Sequence, residues 1–513
     1  MSPASTTKRE DLPMSGARRS LVMALTLAVV LTALAGCGGG QGGPRPDDFR
    51  YEPLVFTPPK PADFRTQLSN GLVVYIAEDH EIPWFNASLM MRTGPFLEPP
   101  DKLGVNGFTS SVMRSGGTRS MTGEQIDDRM GFLAGNVSAT SLSVHLRDVD
   151  EGLKIWLDIL NNPAFPEDKL RREKDATVTR LRSRNDNVST VGSRTFEQLI
   201  YGEDSPITAE QTEAMVNGIT RADLMAWHRR YWGANNAILI VSGDFDRAQM
   251  LAKLEAMFGK WRDAQKAVPP IPKVEQVARG GVYMIQPNVV PNQGVIRIGH
   301  LGLMQDDPDW PAVEMMNYIL GGGSFSSRIT KVVRSDNGLA YSTGSRFSGG
   351  TLYPGSFAAS CQTKNSTVVF AAQLMLDEIE RVRNEPVSRD DLEFAKTALV
   401  SAFPAQFSST QAILRNFANL EFNGRPMDYY DTYEERYNKV TVEDLQRVAQ
   451  KYLRPDRMII MVAGNIEECR AGADDMLPNQ PTIEAMASKY GGRTIDGLAG
   501  KYGDGQVHIL KVK

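Results

Sequence analysis

The sequence predicts an α+β fold made twice in tandem, and two observations predict it. The first is a long internal repeat. Thr220-Arg-Ala-Asp223-Leu224, Tyr231 and the run Ala237-Ile-Leu-Ile-Val241-Ser-Gly243 return as Thr441-Val-Glu-Asp444-Leu445, Tyr452 and Met458-Ile-Ile-Met-Val462-Ala-Gly464, each pair 221 residues apart. A gapless register over some 25 residues points to a duplicated domain of about 200 residues, because the period is far too long for a solenoid. The second observation is the order of patterns. Strand-like and helix-like segments come in blocks joined by hairpin signals, which argues α+β rather than alternating βαβ units.

The elements follow in order. Phe64 to Glu78 alternates about the dipeptide Asn70-Gly71, a hairpin signal. Asn86 to Arg92 reads as a strand, and Val105 to Arg114 and Thr122 to Phe132 as helices. Asn136 to Asp148 reads as one further alternating strand, with Val144 and Leu146 apolar. Asp150 to Leu160 and the highly charged Pro166 to Asn185 read as helices. Each copy of the repeat then gives an N-capped helix, with Thr220 or Thr441 at the cap, and a buried strand that ends at glycine. The second copy opens near Gly280 with strands Gly281–Ile285 and Gly294–Ile298, a helix from Trp310 to Leu320 and a glycine-rich turn. The domain boundaries are therefore 64–263 and 280–469, with a linker at 264–279 and a loosely structured tail at 470–513.

Composition narrows the function. Lys and Arg total 57 and Asp and Glu 61, a formal charge of −4. That balance lacks the electrostatic footprint of a nucleic-acid binder. Three Cys exclude a disulfide scaffold and a Cys-rich zinc protein. The five His (His80, His145, His228, His300 and His508) are isolated, and neither His-x-x-Glu-His nor His-x-x-x-His occurs anywhere. Trp227, His228 and Trp310 read as core or interface residues, and the Arg-rich stretch Lys169 to Arg184 as a solvated face.

The N-terminus reads as an address. Arg18-Arg19 precede the uncharged apolar stretch Ser20 to Gly36, too short to span a membrane comfortably. It ends in Leu34-Ala35-Gly36-Cys37, which resembles a bacterial lipobox, with Cys37 as the lipidated first residue. This gives a signal peptide at 1–36, started at Met1 or Met14, and a Gly- and Pro-rich tether at 37–63. The expected location is extracytoplasmic, lipid-anchored to a bacterial membrane. Gly38 in place of the Asp associated with inner-membrane retention favours the outer membrane. Cys361 and Cys469, over 100 residues apart, are either bridged or buried.

Several stretches in the body together resemble the insulinase/pitrilysin family of zinc peptidases in its two-domain bacterial form. They are Arg92-Thr-Gly94 with Glu98-Pro-Pro; Gly104 to Thr118; Ile219 to Asp246 and its copy; Gly321-Gly-Gly-Ser-Phe-Ser-Ser-Arg328; and Arg334-Ser-Asp-Asn-Gly338-Leu-Ala-Tyr341. The resemblance covers about residues 64–466 and implies two metallopeptidase-like domains, each a mixed or antiparallel sheet packed with helices. Active members carry His-x-x-Glu-His on the first-domain helix, where two His one turn apart hold zinc and the Glu acts as base. The resemblance places Gly107, Ser110 and Ser111 at those positions and Arg180 at the third-ligand position. Gly and Ser are no zinc ligands of the required strength, and an Arg there would repel a divalent cation by several kcal/mol at an effective dielectric near 20. This chain is thus expected to bind no metal.

In the resembling family, two-domain chains often pair, one with zinc and one without. The resemblance then assigns this chain the role of the metal-free subunit. Arg334 and Tyr341 would act in trans at the partner's site on developing negative charge, and Gly321, Gly322 and Gly323 would meet an extended peptide. The implied partners are a zinc-bearing relative, peptide substrates and the membrane, but no nucleic acid. Two readings compete: a scaffold or peptide-binding lipoprotein outside catalysis, and a stand-alone peptidase with an atypical site.

Overall fold

Two six-stranded sheets organise the residues described by the computed structural model, which are 56–268, 270, 273–472 and 494–512. The signal peptide, Cys37, most of the tether and half of the tail lie outside the described residues. The first sheet holds β1 (Arg65–Gln67), β2 (Val73–Glu78), β3 (Trp84–Met91), β4 (Asn136–Val137), β5 (Ser141–His145) and β6 (Ala237–Gly243), in the order β1-β2-β6-β3-β5-β4. The second holds β7 (Gly281–Ile285), β8 (Gln293–Leu301), β9 (Thr343–Phe347), β10 (Ser356–Lys364), β11 (Ile459–Ala463) and β12 (Val507–Leu510), in the order β12-β7-β11-β8-β10-β9. The helices that matter below are α1 (Val105–Ser115), α2 (Glu167–Ser183), α3 (Val188–Tyr201), α4 (Arg221–Tyr231), α5 (Trp310–Asn317), α6 (Thr410–Phe422), α7 (Val442–Tyr452) and α8 (Ile495–Tyr502).

The repeat read from the sequence is a repeat of positions in these sheets. Val241 on β6 pairs in parallel with Ile76 and antiparallel with Ala87. Val462 on β11 pairs in parallel with Met284 and antiparallel with Ile296. Both strands are buried along their whole length, as strands flanked on both edges and covered on both faces must be. The helices that feed them, α4 and α7, start with the same reciprocal cap: the Thr220 hydroxyl accepts from Asp223 N and the Thr441 hydroxyl from Asp444 N, while each Asp side chain accepts from the Thr amide. The glycine that ends β6 is required by close approach. Gly243 has φ 151°, and a Cβ there would strike the carbonyl oxygen of Trp84.

Each half lends a helix to the other sheet. Helix α3, from the first half, packs on β8 and β11, where Val191, Phe196, Ile200 and Tyr201 join a core with Ile285, Ile459 and Met461. Helix α6, from the second half, packs on β2 and β6. Its last turn is fixed by Glu421, which accepts from Arg65 Nε at 2.8 Å and Tyr75 Oη at 2.7 Å. Arg92 donates to Phe422 O at 2.6 Å and stacks on its ring.

Two expectations need correction. Asn136 to Asp148 is a hairpin, not one strand: β4 and β5 are joined by a turn in which the Ser138 and Ser141 hydroxyls bond at 2.7 Å and Ser138 Oγ accepts from Thr140 N. The tail is not loosely structured where it is described. Thr494 caps α8, whose Ile495, Leu498, Ala499 and Tyr502 are buried, and β12 extends the second sheet in parallel along β7. The end of the tether is also tied down, through Lys60 Nζ and Asp431 Oδ2 at 2.8 Å. Cys361 and Cys469 are free and buried, and burial pushes both thiols up to about 12.

Candidate functional site

Helix α1 exists because Val105, Phe108, Val112 and Met113 give it an apolar face to bury. Its N-terminus is capped by Glu98, whose carboxylate oxygens accept from Gly104 N and Asn106 N, each at 2.8 Å. Burial raises that carboxyl above its usual range, against the pull of the two amides. Gly107, Ser110 and Ser111 are spaced i, i+3, i+4 and so share a face. Gly107 is exposed, and a Cβ there would meet nothing within 4 Å. Ser110 Oγ donates back to Asn106 O at 3.2 Å. Helix α2 packs against α1, and its Arg180 is exposed and donates to Thr177 Oγ1 at 2.8 Å. A face of glycine and two hydroxyls offers no donor set for zinc.

The histidines are occupied elsewhere. His80 pairs with Asp244 at 2.6 Å, and that hydrogen bond raises its pKa. His145 Nδ1 accepts from Arg147 N. His228 bonds Leu160 O through Nε2 at 2.8 Å. His300 bonds Leu301 O through Nδ1 and accepts from Arg454 N through Nε2. His508 stacks on Tyr283. Among the described residues no three His, Cys, Asp or Glu side chains group as a metal would require.

The second half presents a different constellation. Two π-helical turns, Tyr318–Gly322 and Lys331–Ser335, interrupt its helical segments, a feature frequent at functional sites. The second carries Arg334. Its guanidinium carbon lies 4.6 Å from the centroid of the Tyr341 ring and 4.4 Å from that of Phe325. Phe325 and Tyr341 are 63% and 85% exposed. Among the described residues Arg334 has no carboxylate within ion-pair distance. Phe325 follows Ser324, which holds φ 55°, a conformation that costs a serine about 1–2 kcal/mol. The loop is tied by Ser326 Oγ to Gly323 O and Ser327 Oγ to Ser324 O, each at 2.7 Å.

The structure thus brings Arg334 and Tyr341 together and leaves Gly107, Ser110, Ser111 and Arg180 in the other half. The glycine segment has an internal reason: a Cβ on Gly321 would strike the Ser345 amide, and one on Gly323 would meet Tyr318. Sequence reasoning missed Phe325. Its only signal was an aromatic residue between small and hydroxylated neighbours.

Comparison with known proteins fits this geometry. Residues 218–399 match the family model described as peptidase M16 inactive domain. This stretch resembles an M16 inactive domain. The fold extends further than that match. A peptidase M16 inactive domain from Pseudomonas fluorescens, 24% identical, superposes with a TM-score of 0.67 over 81% of this chain and 99% of that one. The chain is also similar to an uncharacterized zinc protease of Rickettsia bellii (22% identity, 66% of this chain and 82% of the relative). A non-peptidase homolog from Helicobacter pylori is 20% identical over 77% of this chain and 91% of its own. The matched stretch spans α4, β6, β7, β8, α5, β9 and β10, and therefore contains Phe325, Arg334 and Tyr341.

Proposed function

We propose that this chain is the metal-free subunit of an extracytoplasmic, membrane-tethered zinc peptidase pair. The observation that carries the reading is Arg334, held against two exposed aromatic rings with no carboxylate among the described residues to neutralise it. A cation stored this way is preorganised for an anion supplied from outside the chain. Its planar donor fork and the Tyr341 hydroxyl suit the negative charge that develops on a peptide carbonyl oxygen during hydrolysis. The base and the metal would come from a partner bearing His-x-x-Glu-His, since the corresponding face of α1 has neither. Leu34-Ala35-Gly36-Cys37 supports the lipid tether.

The test is reconstitution. The purified chain is mixed with a relative that carries His-x-x-Glu-His, and hydrolysis of a quenched fluorescent peptide is followed. The pair should cleave and the chain alone should not. Arg334→Ala should cut the pair's turnover by about 10²–10³. Unchanged turnover would leave only a scaffold, and cleavage by the chain alone with one tightly held zinc would overturn the reading.

A further inference from the structure

A cavity of about 400 Å³ lies where the two halves meet, lined by Phe96, Glu197, Tyr201, Tyr353 and Ser356 among others. Its walls come from three separate places: the loop before α1, helix α3 and the turn between β9 and β10. The Tyr353 ring stands edge-on to Phe96 and to Tyr201, each at 5.7 Å between centroids. Glu197 and Tyr201 are four residues apart on α3 and so share a face.

Glu197 is poorly satisfied for a carboxylate in such a place. Its nearest donor is Ser356 Oγ, at 3.5 Å. Among the described residues it makes no ion pair within 4.0 Å. Arg297 acts on it only at longer range, and its Nη2 donates to Ser193 Oγ at 2.6 Å. The Tyr201 hydroxyl is spent on Pro354 O at 3.0 Å, so it does not serve the carboxylate. Burial raises the Glu197 carboxyl, and burial together with the Glu197 charge raises the phenols of Tyr201 and Tyr353.

Three rings around one under-paired carboxylate form a receptor for an organic cation. Ring faces attract positive charge, and desolvation strengthens the attraction. We propose that this cavity binds the cationic side chain of a polypeptide, an alkylammonium or guanidinium, with Glu197 as its counter-charge and Phe96, Tyr201 and Tyr353 as its walls. Phe96 also lines the adjoining cleft of about 800 Å³, together with Glu98 and Glu210, which gives a polypeptide room to continue. The proposal concerns binding by this chain alone and stands or falls apart from the paired-peptidase reading.

The experiment titrates the full chain with three probes by calorimetry: an acetylated, amidated Ala-Ala-Lys-Ala-Ala peptide, the same peptide with norleucine for lysine, and n-butylammonium. The lysine peptide should bind about tenfold tighter than its neutral twin. Glu197→Gln, nearly isosteric, should abolish that preference. Tyr353→Leu should reduce it severalfold. Equal binding of the two peptides, or a lysine preference that survives Glu197→Gln, overturns the proposal. Binding of n-butylammonium as tight as that of the lysine peptide would overturn the polypeptide as its source and assign a free cation instead. Tyr201 also packs in the core beneath α3, so the test relies on Glu197 and Tyr353.

Discussion

Arg334 and Tyr341, seven residues apart in sequence, meet as a stacked cation and ring at 4.6 Å. A π-helical turn carries the first, and the second follows Gly338, which holds φ 61°. The stack lies on the surface, so it adds little to folding. Arg334→Ala, Tyr341→Phe and Phe325→Ala should each leave the unfolding free energy within about 0.5 kcal/mol of the parent, checked by urea denaturation. In the reconstituted pair, Tyr341→Phe should lower turnover sharply. Phe325→Ala should lower it less, because Tyr341 still holds one face of the guanidinium.

Glu421 is the clasp between α6 and the first sheet, with Arg65 and Tyr75 both donating to it. Glu421→Ala should cost about 2 kcal/mol, the worth of hydrogen bonds to a charged group whose loss strands the hydroxyl of the buried Tyr75. Chemical denaturation measures it. Hydrogen exchange should show the amides of α6 opening first.

Phe196 tests the reciprocal helix. It is fully buried, and its ring reaches the backbone at Gly299 on β8. Phe196→Ala should destabilise by about 3–5 kcal/mol. Because the lost packing lies between α3 of the first half and the second sheet, near-ultraviolet circular dichroism should report loosening across the seam.

Two buried imidazoles make stability fall in mild acid. Burial lowers both His228 and His300 from 6.5 to about 4. Between those values the unfolded chain binds protons that the folded chain refuses, so stability present above pH 6.5 is lost as pH falls toward 4. The effect is about 3 kcal/mol for each. Glu98, Glu197, Glu314 and Glu378, all raised by burial, add stability as pH falls toward 4.5 and work the other way. A comparison isolates the imidazoles: the stability gap between parent and His228→Gln, measured at pH 7 and pH 4.5, should narrow in acid.

Much of the local architecture was legible. Asn70-Gly71 announced the first hairpin, and Thr220 with Asp223 and Thr441 with Asp444 announced two capping boxes, because each depends on neighbours within a few residues. The run from Asn136 to Asp148 misled because alternation continues through a tight serine turn. The C-terminal strand β12 was not legible because a short segment becomes a strand only when an open edge, here β7, offers it hydrogen bonds. Phe325 escaped for the same reason: its meaning depends on a guanidinium nine residues away.

The sequence by itself determined the duplication, the two buried central strands and the absence of any His-x-x-Glu-His, since composition, spacing and hydrophobic runs are properties of the chain. Only the tertiary structure decided that each half covers the other's sheet, that Arg334 is gripped by two rings, and that Phe96, Glu197, Tyr201 and Tyr353 surround one cavity. Those residues are scattered over more than 250 positions. They meet because burying apolar helix faces forces the two halves together, and that long-range packing leaves no mark in a local pattern.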